Sequence, residues 1–433
     1  MKFKNKKIIY SFIILIITLI LLFILNIKFD YQANKIKYKD QFQNKIFPLF
    51  DSLPDKLKST LMIYSGKRSF NNLFNDYNVK FLPQTEYIQL DLKKFKTSFD
   101  KSLSRTFFIE IFQDNLFLVS KSGEFYKANL LDIKNKSIDK ISEKIILNNL
   151  KKENENIVIN DILVIEDKIF VLKATENNIQ NNNCGKLEIY YSNIKDILKF
   201  NHFKTFDECT GASLAAGGMQ KYYYNNKPGI LISTAAAGND PLTSAAQNDN
   251  IIFGKIIFVD SETKEVITIS KGHRNPQGLA VKENIILSTE HGPKGGDEIN
   301  KIIYGKNYGW PISSYGVPYP DRNEKNLKFE KSHVNKGFQE PIYVFLSSVG
   351  ISELIFLPNS FHSEWKDNVI VSSLNGRSLF RIKFSDTNYD KVLYIEKIFI
   401  GERIRDLKYS SNQNLIVLAL EDTGVLGVLD IKE

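Results

Sequence analysis

Residues 272–311 hold the densest set of side chains able to do chemistry in this 433-residue chain. Three motifs follow one another there: G-H-R-N-P-Q-G (272–278), S-T-E-H-G-P-K-G-G-D-E-I-N (288–300) and G-K-N-Y-G-W-P (305–311). Each reads as a loop leaving a strand. Glycines let the backbone approach a ligand or take positive φ. Arg274 carries a planar fork that clamps a carboxylate. The main-chain carbonyls of Gly292 and Pro293 and the carboxylates of Asp297 and Glu298 are hard oxygen donors, which suit Ca²⁺ far better than Zn²⁺. Taken singly, each motif is also what an ordinary polar turn looks like. Three in order point to a site.

Short strands must position these loops. From about residue 86, β-branched and aromatic runs alternate with Gly, Asn and Asp turns. Six segments look alike, at residues 107–130, 157–174, 229–269, 277–303, 352–384 and 404–431. Blade-sized units at roughly 50- to 75-residue spacing predict an all-β, six-bladed β-propeller over residues 85–433. A strand at 87–92 closes the ring against the last blade. The competing arrangement is an irregular β-sandwich or a pair of all-β domains. Apolar residues at period two argue against long helices.

The amino terminus has a different character. Residues 1–7 form a basic tail, and residues 8–27 are uncharged and long enough to cross a bilayer as a helix. No small-residue cleavage site follows, so the run reads as an uncleaved transmembrane anchor. Lysines flank it on both sides, the denser cluster at the amino terminus, which places the bulk of the chain outside the cytoplasm. Residues 28–84 form a polar stalk rich in Lys and Asn. Of the net charge of +9, a net +7 lies in residues 1–60, as eleven lysines against four aspartates. The charge excess therefore sits around the membrane run, where anionic headgroups attract it, and a nucleic-acid partner is not expected. Cys184 and Cys209 are the two cysteines; they read as a disulfide or as two buried thiols.

The three motifs resemble those of the soluble glucose and sorbosone dehydrogenases and the related aldose sugar dehydrogenases. The resemblance is specific from about residue 254 to 311 and traceable from about 214 to 428. It implies a six-bladed propeller that binds pyrroloquinoline quinone (PQQ) and Ca²⁺ on its top face. It implies that Arg274 and Asn275 contact the quinone oxygens and that His291 contacts the cofactor. The carbonyls of Gly292 and Pro293 would bind the catalytic Ca²⁺, and Glu298 and Tyr308 match a second, structural calcium position. Late in the chain, G-E-R-I-R-D (401–406) resembles the family's Arg-x-Arg-Asp pattern. Arg403 and Arg405 would then pair with the cofactor carboxylates, as bidentate arginines do.

The chain departs from that pattern at the general base. The family's histidine, in His-x-Gly-Gly-Arg-Leu, aligns with Ala215, and its arginine with Met219. The lysine expected in the fifth blade aligns with Asn375. His291 and His273 are then the candidates to take the proton. The expectation is a membrane-anchored oxidoreductase on the periplasmic side of the cytoplasmic membrane, oxidising a sugar or related alcohol. The alternative is a propeller that binds a carbohydrate or protein without turnover. No Gly-x-Ser-x-Gly elbow and no zinc motif support a hydrolase.

Overall fold

In the computed structural model, residues 83, 85–101, 105–135, 137–151, 155–179, 182–195, 197–210, 216–236, 245–319 and 327–431 are described. The apolar run 8–27, the stretch 28–82 and Ala215 lie outside these residues, as do the side chains of Cys184 and Cys209. Among the described residues no helix is long and apolar enough to cross a membrane.

The described chain is a six-bladed β-propeller. Blade 1 has strands Phe107–Phe112, Asn115–Ser120, Phe125–Asn129 and Glu143–Lys144, and blade 2 has Asn156–Ile165, Lys168–Ile179, Asn182–Asn193 and Asn201–Thr210. Blade 3 has Ala216–Tyr224, Lys227–Thr234, Lys255–Asp260 and Val266–Lys271; blade 4 has Pro276–Lys282, Ile285–Glu290, Asp297–Lys301 and Tyr343–Phe345. Blade 5 has Ile351–Phe356, Val369–Ser373, Ser378–Phe384 and Val392–Phe399. Blade 6 takes Ile404–Ser410, Leu415–Leu420 and Val425–Ile431 from the end of the chain and Leu90–Thr97 from its beginning. Leu90 pairs antiparallel with Ile431 and Phe95 with Leu426, so the closing strand starts three residues after the expected 87. The first strands of successive blades lie side by side, and that of blade 6 returns to that of blade 1, which closes a ring around an axis.

Turn chemistry sets the hairpins. Asn225 and Asn226 both take positive φ, 48° and 63°, between Tyr224 and Lys227. A two-residue turn with this twist suits a tight hairpin, and asparagine tolerates the conformation. Packing sets the rest. Six apolar clusters lie one at each junction between successive blades, for example Phe117, Val119 and Phe125 of blade 1 against Ile159, Ile169 and Val171 of blade 2. Each middle strand is thus covered on both faces. This corrects the expected period-two pattern: Lys255–Asp260 and Leu415–Leu420 are buried at every position, because a blade is sandwiched between two others.

Candidate active site on the propeller axis

The inner strands surround an axial cavity of about 400 Å³, and every blade lines it. Blade 4 supplies the largest share of the expected residues. Asn275 stands just before its first strand and His291 just after its second. The His291 N–H donates to the Asn275 carbonyl at 3.0 Å, which ties the two loops together. Both residues line the cavity, as does Gln277. The His291 ring is hydrogen-bonded by the Ile351 backbone, and its Nε2 is buried without a partner. Burial pushes the imidazole down to about 4, and Arg405 and Arg274 add to this against the opposing pull of Asp297. His291 is therefore neutral at pH 7.

Blade 6 brings in the late arginines. Glu421 receives Arg405 Nε at 2.7 Å and Arg403 Nε at 3.3 Å. Burial alone would raise the Glu421 carboxyl, but the two guanidiniums outweigh it and hold the group below its usual range. Arg405 lines the cavity, with Nη1 at 3.5 Å from Gln277 Oε1; Arg403 is not among the lining residues. Lys121 of blade 1 stands beside Arg405. Burial lowers its ammonium, and the Arg405 charge lowers it further.

Arg274 takes a different place. Its Nη1 donates to the Gly292 carbonyl at 2.9 Å and to the His291 carbonyl at 3.3 Å, and its guanidinium sits over the Trp310 ring at 5.1 Å. Its backbone N–H donates to Glu290. It packs between the three motif loops, and the cavity wall itself leaves it out. His273 is fully buried with both ring nitrogens engaged, Nδ1 with Glu290 Oε2 and Nε2 with Ser270 Oγ, each at 2.8 Å. Its ring stacks on Tyr308 at 4.6 Å. The Tyr308 hydroxyl donates to the Lys301 carbonyl and accepts from Ile303 N–H.

The acidic pair of the second motif divides its work. Asp297 accepts from Ser348 Oγ, Val349 N–H and Gly350 N–H at 2.7–2.9 Å, which fastens blade 4 to the entry of blade 5. Glu298 is buried, with Asn300 Nδ2 at 3.3 Å and His333 Nε2 at 3.9 Å; burial and then Glu290 push its carboxyl well above the usual range. Among the described residues no three His, Cys, Asp or Glu side chains gather as a metal-binding group.

Sequence reasoning missed the floor of the cavity. Asp161, Glu353 and Asp406 line it, and Lys408 and Glu110 stand with them on the inner strands of blades 1, 2, 5 and 6. Lys408 Nζ lies 3.7 Å from Glu110 Oε2. Burial would depress the Lys408 ammonium, but four carboxylates around it raise it well above its ordinary value. Burial in turn raises all four carboxyls, Glu353 well above the usual range and Asp161 to about 7. The signal was present: each charge interrupts an apolar strand, as in F-I-E-I-F, I-N-D-I-L and R-D-L-K.

The Glucose / Sorbosone dehydrogenase family model matches residues 245–427. Aldose sugar dehydrogenase YliI of Escherichia coli K12 is 32% identical over 161 residues, 36% of this chain and 42% of that protein. Quinoprotein glucose dehydrogenase B of Acinetobacter calcoaceticus is 32% identical over 129 residues, 29% of this chain and 25% of that protein. The chain thus spans about half or less of the curated relatives it matches. Among solved structures, the PQQ-bound aldose sugar dehydrogenase of Streptomyces coelicolor gives a TM-score of 0.56 at 14% identity, covering 81% of this chain and 100% of that one. At that identity the likeness is one of fold.

Proposed function

We propose that this chain, whose residues 245–427 match the Glucose / Sorbosone dehydrogenase family model, oxidises a sugar or related alcohol with PQQ bound in the axial cavity. The observation that carries this reading is the convergence of Asn275, His291 and Arg405, from two blades far apart in sequence, on one cavity. The residues present fit the cofactor. PQQ is a flat tricarboxylate, and Arg405 and Lys121 offer it two cations on the cavity wall. His291 Nε2 is a buried polar atom that needs a partner, as a ligand would provide. A cavity of this size is in the usual range for a small-ligand site.

When bound, the quinone supplies a two-electron acceptor. The chain's own part is to hold its carboxylates at Arg405 and to keep His291 neutral beside it. Burial of these groups among the six blades strengthens their electrostatic interactions. Calcium is part of the proposal, at the Gly292 and Pro293 carbonyls with a second position at Glu298 and Tyr308. In the structure Arg274 Nη1 takes up a lone pair of the Gly292 carbonyl, so that side chain would have to share the oxygen with the metal. No step here relies on the metal. We place residues 8–27 in the cytoplasmic membrane with the propeller on the periplasmic side; the uncharged run supports the insertion, and the denser lysine cluster at residues 2–7 supports the orientation.

The test is dye reduction by the full-length chain in detergent, loaded with PQQ and Ca²⁺, over a panel of aldoses, with PQQ binding measured alongside by calorimetry. Turnover with an aldose is expected. PQQ binding without turnover on any sugar would favour the alternative reading, a binding propeller, which Ala215 and Met219 at the family's His and Arg positions support. Absence of PQQ binding would remove the cofactor assignment. Arg405→Ala should weaken PQQ about 10- to 100-fold, as loss of a charged hydrogen bond does, and Arg403→Ala by less, because only Arg405 reaches the wall.

A further inference from the structure

Oxidation of a hydroxyl releases a proton as well as two electrons, and some group at the cavity must receive it. Three carboxyl side chains and one imidazole line the space: Asp161, Glu353, Asp406 and His291. Burial, with Arg405 and Arg274 adding to it against the pull of Asp297, lowers the His291 imidazole to about 4, which leaves it a weak proton acceptor near neutral pH. Glu353 points toward Gly278, where a Cβ would come within 2.5 Å of its Oε1, and that oxygen already accepts the Leu354 N–H at 2.9 Å; burial, against the pull of Lys408 and with Asp406 and Asp161 beside it, holds its carboxyl well above the usual range. Asp406 gives its Oδ2 to the Ile109 N–H at 2.8 Å, and its Oδ1 is buried, with the Phe108 side chain on the same stretch of cavity wall.

Asp161 has a barer setting. Its Oδ2 accepts the Met219 N–H at 2.6 Å and its Oδ1 accepts the Ile162 N–H at 2.8 Å, which fixes the carboxylate plane and leaves a second lone pair on each oxygen. The stretch of blade 3 beside it is Gly217–Gly218, both lining the cavity, so no side chain from those positions stands between the carboxylate and the space. Gly217 cannot be replaced cheaply: a Cβ there would meet the Pro276 carbonyl at 2.2 Å.

We propose that Asp161 is the catalytic base of this chain, receiving the substrate hydroxyl proton in place of the imidazole that Ala215 cannot supply. The inference rests on the reading of the cavity as a quinone-dependent sugar site. The O–H bond breaks and its proton passes to a carboxylate oxygen of Asp161. The carbinol hydrogen leaves with its electron pair as hydride to the quinone oxidant. The alcohol is oxidised to a carbonyl, the quinone is reduced by two electrons, and the charges balance.

The electrostatics agree with the geometry. The groups facing Asp161 are Lys408 and Asp406 of blade 6, Glu110 of blade 1, Glu353 of blade 5 and the Met219 N–H of blade 3. Burial raises its carboxyl most, Lys408 opposes, and the balance falls at about 7. A base with its affinity near the working pH is the effective one.

The test compares wild type with Asp161→Asn, each as the full-length chain. Asparagine keeps one acceptor oxygen, enough for the Met219 or the Ile162 N–H, and turns its NH2 toward the other, so denaturant titration of the variant accompanies the kinetics and Asp161→Glu, which keeps two acceptor oxygens, serves as the second variant. PQQ binding should be unchanged within a few-fold, while kcat falls about 10²- to 10⁴-fold. The wild-type rate should rise with pH through an ionisation near 7, and the variant should lose that rise. A readout without cofactor accompanies it: infrared titration of the ligand-free wild type should lose a protonated-carboxyl band near pH 7, and Asp161→Asn should lack that band. Asp161→Glu, which keeps the acid, should restore part of the rate with a displaced pH midpoint. Wild-type turnover with an unaltered rate and pH profile in Asp161→Asn would overturn the assignment, as would the absence of any carboxyl titrating near neutrality in the wild type. Failure of the wild type to bind PQQ would overturn the sugar-site reading and this inference together.

Discussion

Blades 1, 2, 5 and 6 meet the propeller axis with charged side chains on their inner strands, whereas blades 3 and 4 place glycine there, and blade 4 adds the uncharged Asn275, Gln277 and His291. On the charged side stand Glu110, Asp161, Glu353, Asp406 and Lys408. On the other side the corresponding stretches carry Gly217, Gly218 and Gly278. Both solve the same problem, which is to hold neighbouring inner strands together without a regular ladder between blades. The charged side does so with carboxylates that receive the next blade's N–H, Asp161 from Met219 and Asp406 from Ile109. Such charge-assisted bonds are the strong kind. The glycine side lets strands approach until a Cβ would strike the neighbouring backbone. The contrast teaches that the two sides fail differently. One depends on protonation and counter-charge, the other on shape.

The sharpest way to break the comparison is Lys408→Met. It strips the single ammonium from four buried carboxylates and should cost about 3–5 kcal/mol of unfolding free energy. Denaturant titration reads this; a loss under about 1 kcal/mol would mean that the carboxyls hold one another as acids without Lys408. Gly217→Ala should cost less, about 1–3 kcal/mol, by overpacking against the Pro276 and Gln277 carbonyls, and the loss should not vary with pH.

The smallest and most diagnostic effect is the pH dependence of the wild type. The folded state holds protons on Asp161, Glu353, Glu110 and Asp406 at pH values where the unfolded chain has released them. Their contribution to stability is therefore present below the ordinary carboxyl range and is lost as pH rises through the folded values. For Asp161 this window runs from 3.8 to about 7. Groups held low, such as Glu421, act in the opposite sense and shrink the net change. Melting temperature measured across this window should fall with rising pH, less steeply in Asp161→Asn. A melting temperature that rises throughout would show that the axial carboxylates are ionised and well paired in the fold.

Much of this was legible in the chain. The six repeated segments correspond one to one with the six blades, because strand and turn chemistry is local. The closing strand was foreseen at 87–92 and lies at Leu90–Thr97, a shift of the kind that pairing with a distant partner settles. The motif residues Asn275, His291 and Arg405 reach one cavity as their loops suggested. Arg274 and His273 stand in the same motif yet serve packing: one lies over Trp310, the other between Glu290 and Ser270. Residues 272–275 form the loop between the strands that end at Lys271 and begin at Pro276, where side-chain direction follows the loop's own path, so a motif alone cannot tell the wall of a site from its support.

The amino-acid order by itself determined an all-β repeat, the turns that divide it and the loops rich in glycine and oxygen donors, since each depends on residues within a few positions of one another. Only the closed ring decided which charges meet. Ile109 and Asp406, 297 residues apart, touch because the sixth blade borrows the first strand and returns to the first blade. The ionisation of Asp161, Glu353 and Lys408 follows from that meeting, because burial and neighbouring charge set it and both are properties of the assembled axis.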